Sequence, residues 1–110
     1  MSLPNGERAI VPIEKLRDYS LSPTHPVGQH KARVLAAVFG WTQADAEHVQ
    51  ALVQEHARTA PATRGLSDPY GLRYTIDVVL PARAGTATLR SCWIIRTGEA
   101  VPRLTSLYVI

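Results

Sequence analysis

Two histidines and a lysine lie close together where a proline-containing loop meets a predicted helix. They belong to the run Thr24-His25-Pro26-Val27-Gly28-Gln29-His30-Lys31. The prolines exclude a helix before Gly28, so His25 lies in a loop and His30 and Lys31 lie in the first helical turn. The N–H groups at a helix N-terminus favour anions. Because imidazole transfers protons near neutral pH and an ammonium neutralises phosphate, the run is typical of phosphodiester chemistry.

The same run also has a structural interpretation, and a metal-binding one. In the structural interpretation His25 caps the loop, and His30 is a solvated residue of the first helical turn. In the metal interpretation His48 and His56 are further ligands. These two are separated by roughly 12 Å along one predicted helix, which is too far to share an ion. The sequence therefore predicts no metal site, and no cofactor is expected.

A second set of polar side chains alternates along the predicted strands. Between residues 72 and 80 the apolar residues alternate with Arg73, Thr75 and Asp77, as in a strand with one buried face. Asp77 can act as a proton-transfer group or form an ion pair with Arg90 across the ladder. The predicted phosphate ligands on this face are Arg73, Arg90, Arg96 and Thr105. Four arginines (residues 73, 90, 96 and 103) exceed what one aspartate neutralises, and this surplus favours an anionic partner.

The secondary structure predicted to position these residues is helical first and extended later. Apolar spacing predicts a short helix after Pro12, a helix over Gln29–Phe39 ended by Gly40, and a helix from Thr42 to about residue 58. Residues 60–70 are rich in turn formers and are predicted as a loop. Strands are predicted over residues 72–80, 86–96 and 103–110, with a possible edge strand at 9–11.

This order predicts an α+β fold in which N-terminal helices pack on one face of a C-terminal antiparallel sheet of three to four strands. A chain of 110 residues has the size of one domain, and we expect residues 1–110 to form a single unit. The net charge of +3 is a weak field that permits a polyanionic partner without requiring one.

Cysteine count and hydropathy exclude several classes of protein. The single cysteine, Cys92, excludes an intramolecular disulfide and a multi-cysteine metal site. No apolar run approaches the roughly 18 residues that a membrane span needs, and the first residues do not resemble a secretory signal. We therefore expect a cytoplasmic protein with no membrane partner.

Four runs of sequence resemble a family of small bacterial proteins of unknown function. The resemblance extends from about Leu3 to Ile110, and its runs are Lys15-Leu16-Arg17-Asp18-Tyr19-Ser20-Leu21, His25-Pro26-Val27-Gly28-Gln29-His30-Lys31-Ala32-Arg33-Val34, Cys92-Trp93-Ile94-Ile95 and Pro102-Arg103-Leu104-Thr105-Ser106. The family brings no established activity.

The layout is also distantly similar to the barnase–EndoU–colicin–RelE group of metal-independent ribonucleases, many of which are toxin domains. That similarity implies proton transfer by His25 or His30 and charge stabilisation by Lys31. It also implies that Arg90 and Thr105 hold the scissile phosphate. The sheet face offers no glutamate as the base of that group, only Asp77.

Two functional hypotheses follow from the sequence. One is a toxin-type, metal-independent ribonuclease-like domain acting on RNA, in which a histidine or Asp77 is the base and Lys31 or Arg90 stabilises the phosphorane. The other is a non-catalytic module, of immunity or antitoxin type, that binds a cognate protein through its sheet edge or face. The sequence also predicts one cleft lined jointly by His25, Lys31 and at least one of Arg73, Arg90, Arg96 or Thr105.

Overall fold

The helices occupy the first half of the chain, as the apolar spacing predicts. A computed structural model describes residues 1–110. Helix α1 (Ile13–Lys15) continues into a π-helical turn over Leu16–Ser20. Helix α2 (Gln29–Phe39) ends at Gly40, whose φ of 75° is readily adopted by glycine. Helix α3 (Ala46–Thr59) follows a 3₁₀ turn over Gln43–Asp45.

The second half of the chain forms a four-stranded antiparallel sheet in the order β1-β2-β3-β4. The strands are β1 (Thr63–Asp68), β2 (Gly71–Pro81), β3 (Thr86–Arg96) and β4 (Arg103–Val109). Each strand pairs with the next one in the chain, so the sheet is a meander. The α+β fold predicted from the sequence is confirmed.

One apolar core joins the helices to a single face of the sheet. Its fully buried members include Leu35 of α2, Val49 of α3, and Leu89 and Trp93 of β3. On β2 the alternate residues Tyr74 and Ile76 face this core, as the two-residue period predicts. The opposite side, which we call the outer face, carries Arg73, Thr75, Asp77, Arg90, Cys92, Ser106 and Tyr108.

Two local predictions differ from the structure. Residues 60–70 are not only a loop, because β1 lies within them and pairs with the start of β2. The segment 9–11 contributes one parallel bridge between Ile10 and Arg103 rather than a strand. The N–H of Ile10 donates to the carbonyl of Pro102 at 2.9 Å, so this bridge protects only the beginning of the β4 edge. None of the helices is long and apolar enough to cross a lipid bilayer.

Candidate phosphate-binding site

His25 organises the loop that leads into α2. Its Nδ1 accepts hydrogen bonds from the backbone N–H groups of Val27 and Gly28, both at 3.0 Å. The imidazole also packs edge-on against Tyr19, with 4.6 Å between ring centroids. Since these contacts occupy Nδ1, only Nε2 is left to donate. His25 therefore has the loop-capping role of the structural interpretation.

Lys31 reaches the outer face from the neighbouring helix. Its Nζ lies 4.4 Å from the ring centroid of Tyr108 and 3.5 Å from Oγ of Ser106, both on β4. Tyr108 lies opposite Arg90 in the register, and Ser106 lies opposite Cys92, so both side chains share their face. The Lys31 side chain thus extends past the β4 edge of the sheet. This brings a helical ammonium to the face that carries the arginines.

His30 is exposed beside Lys31 at the same edge. Both residues line an open cavity of about 280 Å³ together with Val34, Tyr108 and Val109. The cavity places an imidazole, an ammonium and a phenol around one space. These are the group types that proton transfer and phosphate binding require.

Arg90 lies beyond Tyr108 on the outer face and is held by Asp77. Two parallel hydrogen bonds join them, Nε to Oδ1 at 2.7 Å and the terminal nitrogen to Oδ2 at 2.8 Å. The Arg90 guanidinium lowers the pKa of Asp77, and the carboxylate, with a smaller contribution from Tyr108, raises the pKa of Arg90. The predicted pairing is confirmed. Asp77 is bound to a cation and orients Arg90, which makes it a poor proton acceptor.

The expected surplus of arginines on the outer face is largely absent. Arg73 pairs with Asp68 at 2.9 Å, and Arg103 pairs with Glu99 at 3.1 Å. Asp68 is the last residue of β1 and Glu99 lies between β3 and β4, so counting the residues of the three predicted strands alone missed both carboxylates. Each arginine lowers the pKa of its carboxyl partner by hydrogen bonding. Of the four arginines, only Arg96 lacks an ion pair within 4 Å.

Thr105 and Arg73 line a different cavity on the outer face, which we call the outer depression. Its volume is about 310 Å³, and its lining residues are Gly65, Leu66, Arg73, Tyr74, Thr75, Cys92, Trp93 and Thr105. Thr105 lies at the irregularity in β3–β4 pairing and donates its hydroxyl to the carbonyl of Cys92 at 3.1 Å. That hydrogen bond uses the donor that phosphate binding would need.

The cleft predicted to be lined by His25, Lys31 and the sheet residues does not form. No cavity is lined by His25, and none joins Lys31 to any of Arg73, Arg90, Arg96 or Thr105. A smaller set converges instead, which we call the Tyr108 cluster: His30, Lys31, Arg90, Ser106 and Tyr108. Ser106 and Tyr108, at its centre, are not among the residues predicted from the sequence. Ser106 and Tyr108 alternate along β4 and pair in register with Cys92 and Arg90, so all four side chains share one face. That alternation was the available signal in the sequence.

The chain contains no cluster of His, Cys, Asp and Glu side chains suited to metal binding. No three of these residues lie close enough together to hold an ion. His56 is buried in α3, away from the exposed His48 of the same helix. Burial lowers the pKa of His56 by penalising the charged imidazolium.

Comparison with known proteins gives one family. The family described as "Domain of unknown function (DUF6883)" matches residues 2–110. This confirms the resemblance to a family of small proteins of unknown function. No curated protein and no solved structure matches the chain. The description of the family names no activity, substrate or partner.

Proposed function

The chain belongs to this family of unknown function, and we propose that it is a metal-independent ribonuclease-like domain that cleaves RNA at the Tyr108 cluster. One observation carries the proposal. Lys31 of α2 lies 4.4 Å from the Tyr108 ring, so a helical cation and the guanidinium of Arg90 flank the same tyrosine. Two cations on one open surface can bind the two non-bridging oxygens of a phosphodiester.

The proposed reaction assigns each group one role. The 2′-oxygen of the RNA attacks the adjacent phosphorus while His30 takes the 2′ proton. The bond from phosphorus to the 5′-oxygen then breaks, which leaves a 2′,3′-cyclic phosphate, and water protonates the departing 5′-oxygen. Lys31 and Arg90 stabilise the negative charge that develops on the phosphorane.

Two residues predicted as catalytic take positioning roles in this proposal. His25 holds the loop before α2 through its hydrogen bonds to Val27 and Gly28. It thereby fixes where His30 and Lys31 emerge from the first turn. Asp77 fixes the plane of Arg90 through two hydrogen bonds. Neither residue needs to contact the substrate.

A cleavage assay with a matched lysine control tests the proposal. The purified chain is incubated with single-stranded RNA in the presence of EDTA, and the products are resolved by electrophoresis. We expect cleavage that Lys31→Ala slows by about 10²–10³-fold and His30→Ala by about 10²–10⁴-fold. Lys15→Ala is the control, because Lys15 also lies over a tyrosine, 5.0 Å from the ring of Tyr19. Its rate should equal that of the wild type.

Two results would contradict the proposal. One is intact RNA after incubation with a correctly folded wild-type chain. The other is a Lys31→Ala variant that cleaves as fast as the wild type. Expression in a bacterial host gives an independent readout, since a toxin-type ribonuclease should slow growth and Lys31→Ala should restore it.

The exposed edge of the sheet favours a second candidate, a non-catalytic module that binds a cognate protein. Strand β1 is an edge strand with β2 as its single neighbouring strand, and its Leu66 is 80% exposed. Such an edge can accept a strand from another chain. Leu66→Lys should then abolish binding of a co-expressed candidate partner while Lys31→Ala leaves it intact. The reverse pattern would eliminate the β1 edge as the binding surface.

A further inference from the structure

The outer depression borders the Tyr108 cluster on the same face of the sheet. Cys92 connects them: it lines the depression, and its Sγ lies 3.8 Å from the hydroxyl of Tyr108. Cys92 is also paired in register with Ser106, whose Oγ contacts Lys31. A ligand with a phosphate at the Tyr108 cluster therefore has the depression immediately beside it.

Arg73 presents a fixed planar group at the wall of the depression. Its Nε donates to Asp68 at 2.9 Å, and this single bond orients the guanidinium while the side chain remains 41% exposed. Asp68 is itself held by the N–H groups of Tyr70 and Gly71, at 2.8 and 3.2 Å. Unpaired bases of RNA stack on guanidinium planes of this kind. Leu66, which is 80% exposed, adds an apolar contact that a base would cover.

The remaining lining groups also suit a nucleobase. The exposed lining is mainly apolar and includes Cys92 and Thr75, and the Thr75 hydroxyl can donate or accept a hydrogen bond. The cavity volume of about 310 Å³ is at the lower end of the range for small-molecule sites. A cavity of this volume with a mainly apolar lining can hold a flat ring system.

We infer that the outer depression is the subsite for a nucleobase of single-stranded RNA, next to the phosphate bound by the Tyr108 cluster. The inference rests on the proposed phosphate-binding role of that cluster, but not on catalysis. In the proposed subsite Arg73 stacks on the base, Thr75 makes a hydrogen bond to the edge of the base, and Leu66 packs against the base. Arg73 thus recognises the base rather than the phosphate, which its residue type and strand parity favour.

Ligand titrations separate the base contribution from the phosphate contribution. Ribose 5-phosphate and each of the four nucleoside 5′-monophosphates are titrated into the ¹⁵N-labelled chain, and Kd is obtained from the amide shifts. Base stacking by arginine or aromatic groups should make the preferred nucleotide bind about tenfold tighter than ribose 5-phosphate. The shifts that distinguish the nucleotide should occur at Thr75 and Cys92.

Two variants test the stacking residue and the hydrogen bond. Arg73→Lys keeps the charge beside Asp68 but removes the plane, so most of the difference in Kd between the nucleotide and ribose 5-phosphate should be lost. Thr75→Val should reduce the preference for one base over the others. Arg83→Lys, at the β2–β3 hairpin, is the matched control and should leave every Kd unchanged. Thermal melting of each variant checks that it is folded.

Each outcome bears on one part of the inference. Equal affinity for ribose 5-phosphate and all four nucleotides, or an unchanged preference in Arg73→Lys, overturns the base subsite and leaves the phosphate site standing. A nucleotide preference in a chain that does not cleave RNA supports the subsite and eliminates the ribonuclease. If no ligand binds at millimolar concentration, both the subsite and the phosphate site are wrong.

Discussion

Nζ of Lys31 lies 4.4 Å from the ring centroid of Tyr108, although the two residues are on different layers of the fold. The lysine starts from helix α2, which packs on the core side, while the tyrosine points to the outer face. The contact is possible because β4 is an edge strand whose second half has no strand beside it. The β4 edge is therefore where the two layers share one polar surface.

Substitutions at Tyr108 separate the contribution of its ring from that of its hydroxyl. Tyr108→Phe keeps the ring beneath Lys31 and removes the hydroxyl beside Arg90 and Cys92. Tyr108→Leu removes both, including a cation–π contact of about 0.5–1 kcal/mol. We expect phosphate affinity to fall in the order wild type, Tyr108→Phe, Tyr108→Leu, measured by titration of inorganic phosphate. Equal affinity of wild type and Tyr108→Leu would eliminate Tyr108 as the centre of the cluster.

Leu35 tests the packing of α2 on the sheet. It is fully buried in the common core, so Leu35→Ala should lower the free energy of unfolding by about 2–5 kcal/mol. Val34 precedes it in the helix and is 44% exposed, which makes Val34→Ala the control, with a change within about 0.5 kcal/mol. Urea titration measures both values. A loss in Leu35→Ala as small as that of the control would mean that the helix face is assigned wrongly.

The sequence predicts those elements whose local pattern and tertiary environment agree. Helix α2 has the predicted bounds because its apolar spacing and Gly40 specify the same segment. Strand β1 was missed because Thr63–Asp68 has no alternation, and all but its last residue are exposed. Its extended form depends on pairing with β2, a non-local interaction that no short window of sequence contains.

The candidate site was predicted only in part, for two physical reasons. Asp68 ends β1, a strand that the sequence does not reveal, and Glu99 lies between β3 and β4, so strand parity assigns neither to a face, yet they neutralise Arg73 and Arg103. The position of Lys31 depends on how α2 crosses the edge of the sheet, which periodicity does not determine. Residue type alone marks Lys31 as a candidate phosphate ligand.

Gly28 is predicted to be intolerant of any side chain. A Cβ there would lie 2.5 Å from the backbone carbonyl oxygen of Tyr19, which cannot rotate away. Gly28→Ala should therefore cost about 1–3 kcal/mol of unfolding free energy, as overpacking does. It should also weaken the hydrogen bond from the Gly28 N–H to His25, seen as faster amide exchange at residue 28.

Gly65→Ala provides the comparison for that prediction. The nearest atom to a Cβ at Gly65 is the carbonyl oxygen of Arg73 at 3.4 Å, an ordinary contact. Its unfolding free energy should be unchanged or slightly raised, because alanine reduces the freedom of the unfolded chain. A Gly28→Ala variant as stable as Gly65→Ala would mean that the loop can move away from Tyr19.

The buried imidazole of His56 predicts a loss of stability as the pH falls. Burial lowers its pKa in the folded state, and the adjacent carboxylate of Glu55 opposes this only in part. In the unfolded chain His56 has its ordinary pKa of about 6.5. Below that pH the unfolded state binds a proton that the folded state does not, so the unfolding free energy decreases until the pH reaches the lowered pKa.

Arginine pairing lowers the pKa values of Asp68, Asp77 and Glu99, so their contributions to stability are lost only below about pH 4, outside the pH range in which His56 acts. Urea titrations from about pH 7.5 to pH 5 should give a smaller slope of unfolding free energy against pH in His56→Gln than in the wild type. His48→Gln, at an exposed position of the same helix, is the matched control and retains the wild-type slope. Equal slopes in the wild type and His56→Gln would show that His56 does not carry this dependence.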